Sequence, residues 1–201
     1  MSFALGLTGS IGMGKSTTAK LFAEQGCAVW DADAAVHRLY APGGAAVAPM
    51  RAAFPEAIID GAVSREALKR IIIADPLALG RIEQIVHPLV AEDRAEFRTQ
   101  ATADILVFDI PLLFEGGGET QFDAVATVSA PPEVQESRVM ERGTMTSAHF
   151  HHIRNKQMPD ADKHARADYV IVTDTLEHAR AQVLRIVTEI REKIRAGMKN
   201  A

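Results

Sequence analysis

Residues 7–22 read LTGSIGMGKSTTAKLF and concentrate glycine, lysine and hydroxyl side chains in one short stretch. It continues a short apolar run at residues 3–8 and leads into residues 15–25, whose apolar positions have helical spacing. Within it, residues 9–16 fit the pattern G-x-x-x-x-G-K-[ST] in the strand-to-helix context that a phosphate-binding loop requires. The alternative, a glycine-rich turn with a surface lysine, does not account for this context.

The chemistry of such a loop assigns a role to each residue type. Glycines let backbone N–H groups converge on phosphate oxygens, and the helix N-terminus adds partial positive charge. Lys15 would reach the β- and γ-phosphates, and the Ser16 hydroxyl would bind Mg²⁺. The sequence therefore predicts a magnesium nucleoside triphosphate as ligand, held by the residues Gly9, Gly12, Met13, Gly14, Lys15, Ser16 and Thr17.

Composition restricts the classes of partner and location. The 201 residues are 47% apolar and 24% charged, which is ordinary for a soluble chain that can bury a core. The net charge of −4 gives no overall basic surface, so no nucleic-acid partner is expected. A single cysteine, Cys27, excludes an internal disulfide, and no secretory leader is recognised, so a cytoplasmic location is expected. No apolar run approaches the roughly 20 residues of a spanning helix, so no membrane partner is expected, and nothing in the sequence indicates an oligomeric state.

Strand-length apolar runs alternate with helical or loop-like segments along the chain. They occupy residues 3–8, 27–30, 105–108, 124–128 and 169–172. This alternation predicts an α/β fold with a parallel core sheet covered by helices, that is, a three-layer P-loop NTPase fold. A last helix is predicted to begin at Asp174, which has capping-box spacing to Glu177.

Two segments depart from this alternation. The first, at about residues 40–102, has helical patterns and few strand signals. Two of its helices are predicted to be capped by Ser64 and Asp75. A second segment, at about residues 132–166, is rich in Arg, Lys, His and Met and is expected to be exposed and mobile. The remaining residues, 1–39, 103–131 and 167–201, would form the core of one domain.

A phosphate loop alone does not identify the group that accepts the phosphate, so other polar residues near strand ends matter. In WDADAAVH, Asp31 and Asp33 follow the second strand, and either could orient an acceptor hydroxyl or cap the next helix.

In ILVFDIPLLFEGGG, Asp109 ends an apolar run in the manner of a Walker B carboxylate near Mg²⁺. Arg138 and Arg142 lie four residues apart and could stabilise transition-state charge or form a solvated basic face.

The histidines carry weaker signals. His149, His151 and His152 invite a metal-site interpretation, but partner cysteines and an H-E-x-x-H spacing are missing, so an exposed face is favoured. His87, in IVHPLV, could contact a phosphate or lie at a helix joint.

Taken together, these motifs resemble the dephospho-CoA kinase family over nearly the whole chain. The matching segments are LTGSIGMGKST, DADAAVH, YAPGG, DGAVSREAL, IVHPLV, FDIPLLFE, ESRVMER, NKQM and ADYVI. The DAD and PLLFE segments distinguish this family from adenylate, shikimate and uridine kinases, which share the phosphate loop and core. Two positions differ from the family pattern: Gly143, where the lid usually has Asp, and Asp174, where Asn is usual.

The resemblance implies transfer of the γ-phosphoryl group of ATP, with Mg²⁺, to the ribose 3′-hydroxyl of dephospho-CoA. It implies that Asp33 is the catalytic aspartate of one P-loop kinase domain over residues 1–201, in which residues 40–102, about, form the helical substrate-binding insertion and residues 132–166, about, form the lid. From their own motifs, Lys15, Arg138 and Arg142 are expected to act with Asp33, and Ser16 and Asp109 to bind the metal. Substrate contacts are expected from the matching segments at Asp33, His37, Arg65, His87, Pro111 and Leu113.

Two alternatives stay open at this point. Another small-molecule P-loop kinase, acting on a nucleoside or nucleotide, would use the same loop. A nucleotide-hydrolysing switch protein is less favoured, because residues 154–157 read RNKQ and lack the aspartate of the guanine-specifying N-K-x-D motif.

Overall fold

The computed structural model describes residues 2–199, with side chains to residue 197, so Met1, Asn200 and Ala201 of the predicted core lie outside it. The strands are β1 (Phe3–Thr8), β2 (Ala28–Asp31), β3 (Ile58–Ile59), β4 (Ala62–Val63), β5 (Ile105–Asp109), β6 (Ala124–Ser129) and β7 (Tyr169–Val172). The helices are α1 (Lys15–Glu24), α2 (Ala32–Tyr40), α3 (Val47–Ala53), α4 (Arg65–Ala74), α5 (Ala78–Gln100), α6 (Pro132–Glu141), α7 (Ser147–Lys156), α8 (Asp160–Arg166) and α9 (Leu176–Lys199). Two compact units result, Met1–Trp30 with Ala101–Ala201, and Asp31–Gln100.

The first unit contains a five-stranded sheet of order β2-β5-β1-β6-β7. Strand β1 runs parallel to both of its neighbours, with Leu7 opposite Asp109 on one side and opposite Ala126 on the other. Strands β6 and β7 are also parallel. The strands β5 and β6 are buried along their whole length, as expected for a sheet with helices on its faces. The predicted α/β fold with a parallel core sheet is confirmed.

Helices α1 and α9 pack together beside this sheet. Their buried residues, which include Phe22, Ile186 and Ile190, join Leu5 and Leu7 of β1 in one hydrophobic cluster. The cap of the last helix lies one residue later than the predicted Asp174, because Thr175 accepts the hydrogen bond from His178 N, at 3.1 Å. Asp174 instead binds the His178 ring, 2.7 Å away.

The basic segment 132–166 is more ordered and more buried than its composition suggests. It forms α6, α7 and α8, and it buries Val139 and Phe150 together with the side chain of Lys163. The expectation of an exposed segment was therefore wrong for these positions, because each of the three helices turns one side inward.

The second unit consists of α2 to α5 and the antiparallel β3–β4 hairpin. Its core includes Leu39, Met50, Phe54, Leu68 and Ile82. The Ser64 hydroxyl accepts a hydrogen bond from Ala67 N at 3.2 Å, so the predicted helix cap is confirmed. Asp75 accepts from Leu77 N at 2.9 Å, one turn before α5 begins.

Helix α4 ends just before Asp75, and the longer helix α5 begins just after it. Helix α5 continues through Pro88 without a break. Within residues 2–199, no helix combines the length and the apolar content needed to cross a membrane.

An ion pair between Arg191 of α9 and Asp104 makes the first unit sensitive to acid. Arg191 Nε lies 2.7 Å from Asp104 Oδ2, and the hydrogen bond from Arg191 lowers the pKa of Asp104 below its usual 3.8. A carboxylate with a depressed pKa stabilises the fold above its unfolded pKa, and that stabilisation is lost as the pH falls through the folded pKa. We expect Asp104→Asn to be less stable than the wild type at pH 7 by up to about 1 kcal/mol, because both groups are partly exposed.

Urea unfolding at pH 7 and pH 3 measures this difference. The gap in unfolding free energy should be narrower at pH 3 than at pH 7, because below the usual pKa of 3.8 the unfolded wild-type chain binds a proton at Asp104 more readily than the folded chain does. An equal gap at both pH values would show that the ion pair is not its source.

Candidate active site

The loop between β1 and α1 has a backbone shape that only glycine adopts readily. Gly12 has φ +77° and Gly14 has φ +89°, both in the left-handed region. A Cβ atom at Gly12 would also lie 2.7 Å from Gln135 O, which is a clash with backbone. The spacing of glycines in the sequence motif therefore has both a conformational and a packing cause.

The loop is attached to neighbouring elements at Met13. The Ala130 N–H donates to Met13 Sδ at 3.0 Å, and the Thr173 hydroxyl donates to Met13 O at 2.7 Å. Met13 is itself 5% exposed, so it contributes packing as well as backbone. Thr173, directly after β7, is a site residue that the sequence analysis missed, since a threonine after an apolar run carries no specific signal.

Lys15 and Asp109 form an ion pair between the first residue of α1 and the last residue of β5. The side chain of Asp109 is 1% exposed and that of Lys15 is 15% exposed. Ser16 and Thr17 follow in the first turn of α1, where a helix leaves backbone N–H groups without intrahelical partners. This end of the helix therefore combines N–H donors, an ammonium group and a hydroxyl.

A cavity of about 330 Å³ adjoins the loop. Arg138 and Arg142 line it together with Gly14 and Thr17, and its far side is formed by Thr173, Thr175 and Leu176. Arg138 Nη1 donates to the Thr173 hydroxyl at 3.0 Å, and Nη2 donates to the Thr173 carbonyl. The volume is in the range of small-molecule sites, and the structure thus brings both predicted arginines to the loop.

The Thr173 hydroxyl accepts a hydrogen bond from Arg138 and donates one to Met13 O in the loop, so Thr173→Val should remove both hydrogen bonds. This change leaves the Met13 carbonyl without its buried donor, and we expect a loss of about 1–3 kcal/mol in unfolding free energy. The matched control is Thr127→Val in β6, because the fully buried Thr127 hydroxyl has no hydrogen-bond partner among residues 2–199. Urea unfolding of both variants should show the loss only for Thr173→Val, and equal losses would contradict the role of this hydroxyl.

A second cavity, of about 400 Å³, lies on another side of the loop. Ser10 and Met13 line it from the loop, and Arg154, Gln157 and Asp160 line it from the region of α7 and α8. The guanidinium of Arg154 stacks over the Phe150 ring, 5.5 Å from its centroid. The segment around α7 and α8 therefore reaches the phosphate loop.

The PLLFE segment lies directly after β5. The Thr8 hydroxyl donates to Pro111 O at 3.1 Å, which ties this segment to the end of β1. Leu113 is 3% exposed and packs with Phe114 and Val125, so its side chain belongs to a hydrophobic cluster.

The remaining predicted residues lie in the second unit. The Asp31 carboxylate accepts from Ala34 N at 2.9 Å and so caps α2, whereas Asp33 is exposed in the first turn of that helix. His37 is exposed one turn further along α2, and His87 is exposed on α5.

Arg65 begins α4 and lines an apolar groove of about 440 Å³ with Tyr40 and Lys69. Leu68, Ile72 and Ile82 complete the apolar wall of this groove. Burial raises the pKa of Tyr40, and the nearby charge of Arg65 opposes this effect. The groove thus has an apolar interior with two basic side chains beside it.

The histidine group shows no metal-binding arrangement in the described part of the chain. Residues 2–199 contain no cluster of three or more His, Cys, Asp or Glu side chains that could hold a metal ion. His151 instead lies 3.4 Å from Glu136, as a surface pair.

A glycine loop at the end of a central parallel strand, opening a helix whose lysine meets a buried carboxylate, defines a P-loop nucleotide-binding fold of the kinase type. A family model described as dephospho-CoA kinase matches residues 3–178. A curated protein of Ruegeria pomeroyi with the name dephospho-CoA kinase is 73% identical over 191 residues, which cover 95% of this chain and 97% of that protein. The chain belongs to the dephospho-CoA kinase family.

Solved structures agree with this assignment of fold. A protein from Thermus thermophilus superimposes with a TM-score of 0.83 at 32% identity, covering 94% of this chain and 97% of that one. The dephospho-CoA kinase from Campylobacter jejuni superimposes with a TM-score of 0.69 at 20% identity, covering 96% and 99% of the two chains, and shows the shared fold.

Proposed function

We propose that this protein transfers the γ-phosphoryl group of ATP to the ribose 3′-hydroxyl of dephospho-CoA, producing coenzyme A and ADP. The observation that carries the proposal is the family match over residues 3–178, which includes the complete phosphate loop. In this reaction a bond forms between the acceptor oxygen and the γ-phosphorus. The bond from that phosphorus to the β,γ-bridging oxygen breaks, and ADP leaves.

ATP is held by the loop and by the cavity of about 330 Å³ beside it. Backbone N–H groups at the start of α1 bind the phosphates, and Lys15 neutralises charge on the β- and γ-phosphoryl oxygens. Arg138 and Arg142 lie on the wall of this cavity, where their charge stabilises the nucleotide and the transition state.

The residues Ser16 and Asp109 fit a magnesium site by their chemistry. A hydroxyl and a buried carboxylate are the hard oxygen donors that Mg²⁺ prefers. When bound, Mg²⁺ supplies charge neutralisation on the β- and γ-phosphates. Asp109 also forms the ion pair with Lys15, so one carboxylate orients the lysine and offers an oxygen to the metal.

Asp33 is the proposed catalytic carboxylate. It is exposed in the first turn of α2, and its side chain is available to accept a hydrogen bond from the 3′-hydroxyl and then its proton. Asp31 is less suited to this role, because one oxygen of its carboxylate already accepts a hydrogen bond from Ala34 N and caps α2.

The helical unit Asp31–Gln100 is the proposed binding unit for the CoA-type substrate, with residues 132–166 as the lid. Its groove of about 440 Å³ has apolar walls that suit the pantetheine arm, and Arg65 and Lys69 offer positive charge to phosphates. His37 and His87 are further candidates for substrate contacts, and Pro111 is a candidate from the core unit. A single buried cysteine, Cys27, without a disulfide suits the proposed cytoplasmic location.

The experiment that tests this function is ADP release, measured with dephospho-CoA, AMP, adenosine and shikimate as separate acceptors. Release should depend on an added acceptor and should be fastest with dephospho-CoA. Preference for AMP or adenosine would favour a nucleotide or nucleoside kinase. Equal release without any acceptor would indicate a nucleotide-hydrolysing switch.

A further inference from the structure

Two glutamines bind opposite sides of one residue in the phosphate loop. Gln157 Oε1 accepts a hydrogen bond from Ile11 N at 3.0 Å, and Gln135 Nε2 donates to Ile11 O at 2.6 Å. We call Gln135 and Gln157 the glutamine clamp. Gln135 is 3% exposed and lies on α6, and Gln157 directly follows α7, so both side chains come from the segment 132–166.

The clamp satisfies both backbone groups of Ile11, which lies between Gly9 and Gly12. Glycines make this part of the loop conformationally free, and in the free chain that freedom opposes any single shape. Hydrogen bonds to both the N–H and the C=O of Ile11 hold the loop in the one shape present here. The loop thus acquires its geometry from the segment 132–166 as well as from its own glycines.

The position of Gln157 is in turn secured by the residues that follow it. Met158 N donates to Glu115 Oε1 at 2.9 Å, and Lys163 Nζ lies 3.0 Å from the same oxygen. The Ser129 hydroxyl donates to Asp160 Oδ2 at 2.6 Å. These contacts attach α8 and the residue Met158 before it to the segment that follows β5 and to the last residue of β6, the two strands that flank β1.

Lys163 contributes a buried ion pair to this attachment. Its side chain is fully buried, and a buried ammonium is costly unless a carboxylate faces it. Burial acts to raise the pKa of Glu115, but the hydrogen bond from Met158 N and the neighbouring Lys163 ammonium outweigh this effect and lower it.

We propose that Gln135 and Gln157 are positioning residues for ATP, which hold the phosphate loop in its binding shape and couple it to the lid segment. This inference rests on the ATP-binding part of the proposed function. It adds two residues that do not belong to the G-x-x-x-x-G-K-[ST] motif and that act through the backbone of Ile11.

The primary test is the affinity for ATP with Mg²⁺, measured by calorimetry without any acceptor. Gln157→Ala removes one hydrogen bond to the loop, and we expect Kd to rise about 3–10-fold. Hydrogen exchange of the unliganded protein should become faster at the amide of Ile11, which loses its acceptor. The KM for dephospho-CoA should change less than the Kd for ATP, because both hydrogen bonds of the clamp end on the phosphate loop.

A charge-matched pair of variants separates hydrogen bonding from electrostatics. Gln157→Glu keeps an oxygen that can accept from Ile11 N, whereas Gln135→Glu loses the N–H that donates to Ile11 O. Both add one negative charge, yet we expect Gln135→Glu to bind ATP at least about 5-fold more weakly than Gln157→Glu. If Gln135→Glu does not fold, Gln135→Met removes the same donor without a charge and should raise Kd about 3–10-fold.

The control for general loosening of the lid segment is Thr146→Ala. The Thr146 hydroxyl accepts from His149 N at 3.3 Å and caps α7, so its loss weakens that helix without touching the loop. Its Kd for ATP should remain within about 2-fold of the wild type, while its melting temperature falls.

The proposal is overturned if Gln157→Ala binds ATP as tightly as the wild type, if the two glutamate variants bind it equally, or if Thr146→Ala weakens binding as much as Gln157→Ala. Because ATP affinity is measured without an acceptor, these outcomes differ from failure to phosphorylate dephospho-CoA, which would concern the proposed function alone.

Discussion

Lys15→Ala is expected to lower kcat by at least about 10²–10³-fold, because it removes a charge that stabilises the transferring phosphoryl group. Lys15 is the first residue of α1, directly after the phosphate loop, and we propose that its ammonium binds the β- and γ-phosphates. Steady-state ADP release with saturating ATP and dephospho-CoA measures the effect. Turnover close to that of the wild type would contradict the assignment of the phosphate loop.

The ion pair with Asp109 adds a consequence for stability. Asp109 is 1% exposed, so removal of the lysine leaves a buried carboxylate without the ammonium that neutralises it. We expect Lys15→Ala to lose about 3 kcal/mol of unfolding free energy, which is typical when one partner of a buried pair is removed.

The double variant Lys15→Ala/Asp109→Asn serves as the control for this loss. It removes both charges and should recover much of the stability while kcat stays low. Recovery of activity together with stability would show that the catalytic loss of the single variant was only a folding defect.

Asp33→Asn is expected to lower kcat about 10²–10⁴-fold, the usual contribution of a positioned acid or base. The change keeps the size and hydrogen-bonding reach of the side chain but removes the charge that accepts the proton of the 3′-hydroxyl. Asp33 is exposed on α2, so the fold and the KM for ATP should be retained. Steady-state kinetics and a thermal unfolding scan of the same preparation measure both properties.

Asp31→Asn is the matched control for this experiment. Asp31 caps α2 through Ala34 N, and asparagine caps helices about as well as aspartate, so kcat and stability should change little. If Asp31→Asn is the more damaging variant, or Asp33→Asn is nearly silent, then Asp33 is not the catalytic carboxylate.

Much of the sheet could be predicted because its signals are local. Residues 3–8 and 169–172 were predicted as strands with the same bounds that β1 and β7 have. A short apolar run that is bounded by glycine or polar residues is typical of a buried strand. The phosphate loop could also be predicted, because glycines, a lysine and a hydroxyl residue at this fixed spacing are typical of a loop that binds nucleotide phosphates. The Ser64 cap was predicted for the same reason, as the side chain and the N–H it binds lie within one helical turn.

The N-cap of a helix was harder to predict where two nearby polar residues could each accept the hydrogen bond from its first turn. Asp174 and Thr175 can each cap α9, and the backbone selects Thr175 while Asp174 pairs with His178. At α2 the sequence left a cap and a catalytic role open for both Asp31 and Asp33. Only the structure assigns the cap to Asp31.

By itself, the sequence determined the α/β architecture, the phosphate loop and the family resemblance, all of which rest on spacing within short segments. The sequence also indicated that Asp109 lies near the loop, but its ion pair with Lys15 is seen only in the folded chain. Two other contacts with the loop had no signal in the sequence: Thr173 at Met13, and the glutamine clamp at Ile11. Gln157 lies 146 positions from Ile11 in the chain, and a glutamine in a polar segment carries no sign of the backbone group it will bind. Such contacts depend on how parallel strands and their helices pack, which is a property of the whole core unit and not of any one segment.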